Sequence, residues 1–369
     1  MRATRALVHL GNLRKNIGLI RKHTGGRPMI CLALKADAYG HGIVGIGREA
    51  AATGVDYFAV ATVDEAVELR NAGLTIPVLL YSLPTPDEIP EIVEHDVIPV
   101  VSDEELADLL EAEAKRRGRV ITVHLKIDTG MGRIGCTPEA APSLAADLAA
   151  RSNLTLGGIS THFATSDSAD PTPTRKQIQR FDTALRSIRR SGIDPGIVHA
   201  GNSGGILAYP EAWYDMIRPG ILAFGYFPSD EQPRELEIRP VMDLRSRLVF
   251  IKEVQAGTPV SYGSTWRATQ RTYIGTIPVG YGDGYNRLLS NRGRVVIRGA
   301  SYPIVGRVCM DHIMVNLGST CSVERFDDVL LFGPDPGAPD AEELSRICRT
   351  IPYEITCTVS KRVPRLYVE

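Results

Sequence analysis

Short apolar runs, nearly continuous in Val, Ile, Leu and Ala, recur through the first part of this 369-residue chain. Runs that are continuous rather than alternating are typical of strands buried on both faces of a parallel sheet. Stretches with polar and apolar positions in helical spacing separate them, so the pattern predicts repeated strand–helix units. Eight such runs are present, at 29–35, 56–62, 77–82, 97–102, 121–127, 156–163, 196–202 and 214–220.

Two of the intervening segments carry clear helix signals. In 102–118, Ser102 is the predicted N-cap, acidic residues occupy the first turn and basic residues the last, and Gly118 follows the end. In 172–192, apolar residues recur on one helical face. Eight strand–helix units predict a closed parallel (β/α)₈ barrel of the usual length, roughly 250 residues. An open doubly wound sheet is the alternative, but no GxGxxG fingerprint follows the first strand.

The pattern changes in the last third of the chain. Short strands separated by glycine turns, with one helix at 340–349, predict a smaller, mainly β domain. The proline- and charge-rich segment 228–240 is the expected linker. We therefore predict an α/β fold in which a TIM-type barrel at 11–230 is followed by a mainly β C-terminal domain, built from 1–10 and 240–369.

Composition narrows the function classes. The 42 basic and 43 acidic residues are dispersed, and no basic stripe suggests a nucleic-acid groove. No apolar run approaches the roughly 18 residues of a membrane span, and the N-terminal segment lacks the apolar core of a signal peptide. The six cysteines form no CxxC pair and no cluster with histidine, so we expect reduced thiols and no metal site. These features predict a cytoplasmic protein that binds neither nucleic acid nor membrane.

Candidate chemistry is expected where the strands end, because ligands of such barrels bind at the C-terminal ends of the strands. The polar residues that follow the strands are each more often structural when taken singly, but together they form an anion-binding site beside an amine. That combination fits a phosphorylated cofactor held as a Schiff base, such as pyridoxal phosphate, although a class I aldolase uses the same barrel and a Schiff-base lysine. The groups are Lys35, Tyr39, Arg133, His162, Asn202, Ser203, Arg218, Gly220 and Ile221.

Nine motifs, in unbroken order from the first strand to the C-terminal end, resemble those of the alanine racemase family. They are ALKADAYGHG, KIDTGMGRIG, STHFATSD, GNSGG, IRPGI, PVSYGSTW, VGYGDGYNR, GRVCMDH and IPYEITCTVSKRVPR. The resemblance implies an isomerase that depends on pyridoxal 5'-phosphate, interconverts L-alanine and D-alanine, and supplies D-alanine for peptidoglycan. It also implies a homodimer whose active sites contain residues of both subunits.

By this resemblance, two bases serve opposite faces of the substrate. Lys35 carries the cofactor as an aldimine and exchanges a proton on one face. Tyr262 of the partner subunit is expected to act on the other face, because one base cannot reach both faces of a planar carbanion. His162 and Arg218 are expected to support Tyr262 through a chain of contacts.

The resemblance implies further roles for residues around the cofactor. Arg218 is expected against the pyridine nitrogen, where a guanidinium donates a hydrogen bond and has no lone pair to accept one. Arg133 is expected to contact the phenolic oxygen and, with the amide of the partner's Met310, the substrate carboxylate. Lys126 matches a lysine that is carbamylated in many family members. The other implied cofactor-binding residues are Tyr39, His162, Asn202, Ser203, Gly220, Ile221 and Tyr353, and those at the entrance are Asp167, Tyr281, Arg287 and Asp311.

Two other functions stay open on the residues alone. A pyridoxal phosphate decarboxylase of the same architecture would use a cysteine of the partner subunit as an acid, whereas this chain has Tyr262 at the position of the second base. A non-catalytic pyridoxal phosphate carrier would typically be a lone barrel, without the β domain that bears Tyr262 and Met310.

Within the racemase interpretation, Tyr262 and Tyr353 are expected to flank the substrate side chain and to leave room for about a methyl group. Serine should then turn over slowly, since apolar pockets discriminate so small a difference only roughly 10 to 200-fold.

Overall fold

A computed structural model describes residues 2–369. Eight parallel strands close into a barrel, as the apolar runs predicted. Closure is made by the first and last strands of the barrel, where Met29 pairs with Met216 and Ile30 with Ile217. The barrel strands are β2 (Met29–Ala33), β3 (Tyr57–Val60), β4 (Val78–Leu80), β5 (Val97–Val101), β6 (Ile121–Lys126), β7 (Leu154–Ser160), β8 (Ile197–His199) and β9 (Met216–Ile217).

Several strands are shorter than the apolar runs that predicted them. The last run, 214–220, yields only the two residues of β9. Pro219 lies just beyond that strand, and proline has no N–H with which to extend a ladder. This strand therefore stops early, and Arg218 and Gly220, which follow it, line the cavity at the rim of the barrel.

Helices surround the barrel, and the N-cap of one of them is not the residue that the sequence predicted. This helix, α6 (Glu104–Arg116), begins one residue later than expected, because Asp103 has extended backbone and its carboxylate accepts from the amide of Leu106 at 2.8 Å. The prediction of Ser102 as N-cap was wrong, whereas Gly118 does follow the helix with a φ of 63°. The helices of this part are α1 (Leu10–His23), α2 (Lys35–Tyr39), α3 (Ile43–Ala52), α4 (Val63–Asn71), α5 (Ile89–Glu94), α6 (Glu104–Arg116), α7 (Ala141–Ala150), α8 (Thr172–Arg190) and α9 (Ser203–Ala208).

The C-terminal part is mainly β, as predicted, and contains three sheets of six, three and two strands. The largest sheet also includes the N-terminal strand β1 (Arg5–His9), which pairs with β10 (Met242–Arg247) and with β19 (Arg365–Val368). The other strands are β10 (Met242–Arg247), β11 (Phe250–Val254), β12 (Pro259–Val260), β13 (Trp266–Arg267), β14 (Thr272–Ile277), β15 (Arg294–Ile297), β16 (Ala300–Pro303), β17 (Ile313–Gly318), β18 (Asp328–Phe332) and β19 (Arg365–Val368).

Two helices, rather than the single one predicted, interrupt these strands. α10 (Ala341–Cys348) ends where Arg349 takes a left-handed φ of 57°. α11 (Pro352–Cys357) then starts on a proline, whose fixed φ and missing N–H suit the first helical position. Across residues 2–369, no helix has both the length and the apolar character that crossing a bilayer requires.

Candidate functional site

A cavity of about 660 Å³ opens at the carboxyl ends of the barrel strands. Most residues predicted from the strand ends and from the family resemblance line it together. Those residues are Lys35, Tyr39, Lys126, Arg133, His162, Asp167, Asn202, Ser203, Arg218, Gly220 and Tyr353. Ile221 is an exception, since its side chain is buried in the core and does not line the cavity.

A left-handed turn presents Lys35 and Tyr39 to this cavity. The four residues from Ala36 to Tyr39 have φ values between 53° and 56°, a conformation that costs an L-residue roughly 1–2 kcal/mol. Side-chain contacts stabilise the turn: the Asp37 carboxylate accepts from the amide of Ile43 at 2.8 Å, and Glu65 accepts from the amide of Ala36 at 2.6 Å. Such strain is typical of functional sites, and here it directs the lysine inward.

Lys35 lies in a setting that favours its neutral amine. Burial, and after it the positive charge of Arg133, lowers the pKa of Lys35 below its ordinary value. Within residues 2–369, its ammonium makes no ion pair with a carboxylate. A neutral amine is the form that attacks a carbonyl, so Lys35 is suited to Schiff-base formation.

Another part of the cavity wall is a cluster of amides and hydroxyls. Ser203 Oγ accepts from the amide of Gly220 at 3.0 Å and from that of Leu222 at 3.4 Å. Gly220 is required here, since a Cβ at this position would lie 2.4 Å from the hydroxyl oxygen of Tyr39. Asn202 fixes the start of α9 by accepting from the amide of Gly205 at 3.0 Å. Because the Ser203 oxygen accepts from the amides of Gly220 and Leu222, its hydroxyl still has a proton to donate to a phosphate group.

Arg218 is buried and held by a chain of hydrogen bonds. Its guanidinium donates to the carbonyls of Thr161 and Ala200 at 2.8 and 3.0 Å, and to Nδ1 of His199 at 3.0 Å. Because arginine only donates, His199 must carry its proton on Nε2, from which it donates to Nδ1 of His124 at 2.8 Å. The chain therefore fixes both histidine tautomers and the plane of the guanidinium.

His162 connects Arg218 to the interior of the cavity. Its Nδ1 lies 3.2 Å from the Arg218 guanidinium. Burial, followed by the charges of Lys126 and Arg218, lowers the pKa of His162 well below its ordinary value. The imidazole is therefore neutral, with Nδ1 as acceptor and the proton on Nε2.

Lys126 is a buried lysine surrounded by positive charge. It is 8% exposed, and burial, then Arg218 and Arg133, lowers its pKa well below the ordinary value. No carboxylate of residues 2–369 forms an ion pair with its ammonium. A cationic Lys126 would be a like-charge neighbour of two arginines, whereas a negatively charged adduct would attract them.

The loop that carries Arg133 is organised by one carboxylate. Asp128 accepts from the amides of Gly130, Met131 and Gly132 at 2.8–3.1 Å. Although burial acts to raise the pKa of Asp128, these backbone donors lower it. The ordered loop holds Arg133 at the rim, where it remains exposed.

Besides Ile221, five of the predicted residues do not line the cavity of their own chain. These five all lie in the C-terminal part: Tyr262, Tyr281, Arg287, Met310 and Asp311. Tyr262 is 71% exposed and Met310 51% exposed. The amide of Gly282 donates to the carbonyl of Met310 at 2.9 Å, which brings the loop of Tyr281 beside Met310. Asp311 pairs with Arg362 at 2.6 Å.

Sequence reasoning missed Tyr81 and the two histidines behind Arg218. Tyr81 is the last residue but one of the third apolar run, and its ring centroid lies 5.6 Å from the Arg218 guanidinium carbon. Applying the strand-end rule to every strand would therefore have found it. His124 and His199 lie inside strand runs. Their residue type signalled possible chemistry, but no spacing along the chain shows that they contact each other.

Comparisons with known proteins agree across the whole chain. The profile of the alanine racemase N-terminal domain matches residues 8–228, and that of the alanine racemase C-terminal domain matches residues 241–367. An alanine racemase of Treponema denticola is 46% identical over 376 residues, which cover 100% of this chain and 99% of that protein. One from Desulfovibrio desulfuricans is 43% identical, with 99% and 98% covered.

Solved structures give the same result. The structure of alanine racemase from Clostridium difficile 630 matches with a TM-score of 0.95 and 36% identity, covering 100% of this chain and 96% of that one. Alanine racemase from D-cycloserine-producing Streptomyces lavendulae matches with a TM-score of 0.94 and 34% identity, covering 100% and 98%. Alanine racemases are amino-acid isomerases that depend on pyridoxal phosphate. From its first strand to its last, the chain belongs to the alanine racemase family.

Proposed function

We propose that this protein interconverts L-alanine and D-alanine with pyridoxal phosphate bound in the barrel cavity. The observation that carries the proposal is the juxtaposition of the desolvated Lys35 amine with the hydroxyl and amide cluster around Ser203, both lining one cavity. An amine and anion-binding donors in the same cavity are what a phosphorylated aldehyde requires.

The residues present fit this cofactor. We propose that the hydroxyls of Tyr39, Ser203 and Tyr353, with the amides of Gly220 and Ile221, bind its phosphate. Asn202 supports this cluster by holding the start of α9. When bound, pyridoxal phosphate would withdraw electrons from the bonds at the substrate Cα, which makes the Cα proton removable.

Arg218 is the proposed partner of the pyridine nitrogen. Four hydrogen-bond acceptors already surround its guanidinium: two carbonyls and the Nδ1 atoms of His199 and His162. A guanidinium stays protonated at any working pH, so it offers a hydrogen bond and does not deliver a proton. We expect the ring to stay unprotonated, which limits side reactions and requires well-placed bases at Cα.

Lys35 and Tyr262 are the proposed bases. The Lys35 amine, at Nζ, is expected to exchange a proton with Cα on one face, and Tyr262 of a second subunit, at its phenolic oxygen, on the other. The high exposure of Tyr262 supports this assignment, because a side chain that is 71% exposed in one protomer is free to enter the cavity of another. Tyr281, Leu288 and Met310 are also large, apolar and exposed, which is typical of a surface covered in an assembly. We therefore propose a homodimer with shared sites.

Substrate recognition is assigned to the rim. Arg133, which makes no ion pair within residues 2–369, is proposed to bind the substrate carboxylate together with the amide of Met310 from the second subunit. We propose that Lys126 is carbamylated and thereby attracts Arg133.

The proposed entrance to the cavity is formed by Asp167, Tyr281, Arg287 and Asp311. We further propose that the product D-alanine supplies peptidoglycan synthesis in the cytoplasm.

The direct test is chiral chromatography of alanine incubated with the purified protein and pyridoxal phosphate. L-Alanine and D-alanine should each convert to an equal mixture, since enantiomers have equal free energies, and serine should react more slowly. Lys35→Ala is the matched control and should be inactive. Release of CO₂ from basic amino acids would instead favour a decarboxylase, and cofactor binding without isomerisation would favour a carrier.

A further inference from the structure

The segment 228–240, which the sequence presents as a simple linker, folds back onto the rim of the cavity. Three of its side chains bind the backbone of one loop, the loop that follows β7. Ser229 Oγ donates to the carbonyl of Asp167, the Glu231 carboxylate accepts from the amide of Ala169 at 2.6 Å, and Gln232 Nε2 donates to the carbonyl of Ser166 at 3.1 Å. Ser166 and Asp167 both line the cavity.

Gln232 is the buried member of these three. It is only 6% exposed, and its side-chain oxygen has no hydrogen-bond partner among residues 2–369. Burying an amide with half its hydrogen-bonding capacity unused is unfavourable, and an apolar side chain would fill the space at lower cost. Within residues 2–369, the bond to the Ser166 carbonyl is the one hydrogen bond that this side-chain amide makes.

Ser166 in turn contacts the wall that we propose binds phosphate. Its hydroxyl donates to Oδ1 of Asn202 at 2.7 Å, the same oxygen that accepts from the amide of Gly205. The two loops are in direct contact, since a Cβ at Gly204 would lie 2.8 Å from the carbonyl oxygen of Ser166. A shift of Ser166 must therefore be transmitted to the start of α9, where Ser203 lies.

Two other charged side chains of the linker bind elsewhere. Asp230 pairs with Arg346 of α10 at 3.1 Å, and Arg234 pairs with Asp230 and with Glu342 of α10 at 3.0 and 2.9 Å. These ion pairs hold the linker to the C-terminal part and do not touch the loop of Ser166. They supply a control in the same segment.

From these contacts we propose that Gln232 is a positioning residue for the wall formed by Ser166, Asn202 and Ser203, and that it thereby sets the affinity for the phosphate of the cofactor. This inference rests on the proposed function. Gln232 does not touch the cofactor; it acts through Ser166.

The test compares Gln232→Met, which keeps the length and removes the donor, with the control Arg234→Met. Hydrogen exchange by mass spectrometry on the cofactor-free proteins should show faster exchange at 203–208 for Gln232→Met and no change for Arg234→Met. Titration with pyridoxal phosphate should show binding roughly 5- to 20-fold weaker for Gln232→Met, as expected for one lost buried hydrogen bond. Affinity for pyridoxal, which lacks the phosphate, should stay within about 2-fold, since the altered contact lies at the phosphate end.

If Gln232→Met does not fold, Ser166→Ala serves as a second variant. It removes the hydrogen bond from Ser166 to Asn202 and leaves the bond from Gln232 to the Ser166 carbonyl in place. It should give the same phosphate-specific loss of affinity. Unchanged exchange at 203–208, or equal weakening of both ligands, would overturn the proposal. Wild-type protein that neither binds pyridoxal phosphate nor isomerises alanine would contradict the proposed function instead. In that case the exchange at 203–208 still decides whether Gln232 positions this wall.

Discussion

At the scale of single residues, the chemistry depends on how burial changes the protonation of a few side chains. The positions of Lys35, Arg133 and Arg218 at strand ends could be read from the sequence, because the barrel rule identifies which residues face a ligand. The charges and hydrogen-bond partners around these side chains could not be read from the sequence. The hydrogen bond between His124 and His199, and the absence of an ion pair at Lys126 within residues 2–369, depend on contacts between distant strands.

Cofactor attachment tests the lowered pKa of Lys35. Uptake of pyridoxal phosphate by the cofactor-free protein requires the neutral amine, so its rate should rise with pH and level off at a lower pH than for a lysine with the ordinary pKa of 10.5. Arg133→Met removes a charge that lowers this pKa, and should move the midpoint to higher pH. After borohydride reduction, mass spectrometry should find the pyridoxyl group on the peptide of Lys35. Attachment to another lysine would contradict the assignment.

Lys126 should react with CO₂. A buried neutral amine can add CO₂ and lose a proton, and the resulting anion would be stabilised by its two arginine neighbours. Protein exchanged into ¹³C-bicarbonate should give a carbamate signal by NMR that Lys126→Ala lacks. An identical spectrum for both proteins would show that the lysine is unmodified.

Buried histidines should make the fold sensitive to mild acid. Burial lowers the pKa of His41 and His124 to about 4, and that of His162 and His199 well below the ordinary value of 6.5. The unfolded chain therefore takes up protons first as pH falls through 6.5, and the folded state loses stability until the folded pKa is reached.

The measurement is the free energy of unfolding of the cofactor-free protein in urea, at fixed protein concentration, between about pH 5 and pH 7. Each such histidine should contribute up to about 1.4 kcal/mol per pH unit below its ordinary pKa of 6.5. His41→Phe keeps an aromatic ring against Phe224 and removes one titrating group, so its slope should be shallower by about that amount. Parallel slopes for the two proteins would be inconsistent with a neutral buried His41.

At the scale of secondary-structure elements, the eight strands could be predicted because buried parallel strands are continuously apolar. The turn that carries Lys35 could not, since the letters KADAY favour an ordinary right-handed helix. Its left-handed conformation is set by distant contacts: Gly40 approaches so closely that a Cβ there would lie 2.1 Å from the carbonyl oxygen of Thr356 in α11. Tertiary packing overrides local propensity at this position.

Glycine substitution tests the strain in that turn. Ala36 is exposed and left-handed, so Ala36→Gly should relieve roughly 1–2 kcal/mol of strain, offset by about 0.4–1 kcal/mol of added chain entropy in the unfolded state. The expected net gain is about 0.5–1 kcal/mol. Ala112→Gly, at an exposed position inside α6, should instead cost about 1 kcal/mol. Equal losses in urea unfolding for the two variants would mean that the turn is not strained.

At the scale of the whole molecule, the sequence predicted a barrel followed by a mainly β part, because the change from long helical spacing to short strands with glycine turns is visible along the chain. It did not reveal that the linker would bind the cavity rim through Gln232, since charge and proline content indicate a loop without showing what the loop contacts. The division at 11–230 and 240–369 stays a prediction. The arrangement of two subunits likewise rests on the exposure of Tyr262 and its neighbours.

The central claim is that Lys35 of one subunit and Tyr262 of another act on the same alanine. Mixing Lys35→Ala subunits with Tyr262→Phe subunits, each inactive alone, tests it most directly. In a shared-site dimer, a mixed pair has one site with both defects and one intact site. Random exchange gives half mixed dimers, so about a quarter of wild-type racemisation should return. No recovery after mass spectrometry has verified subunit exchange would contradict the shared site.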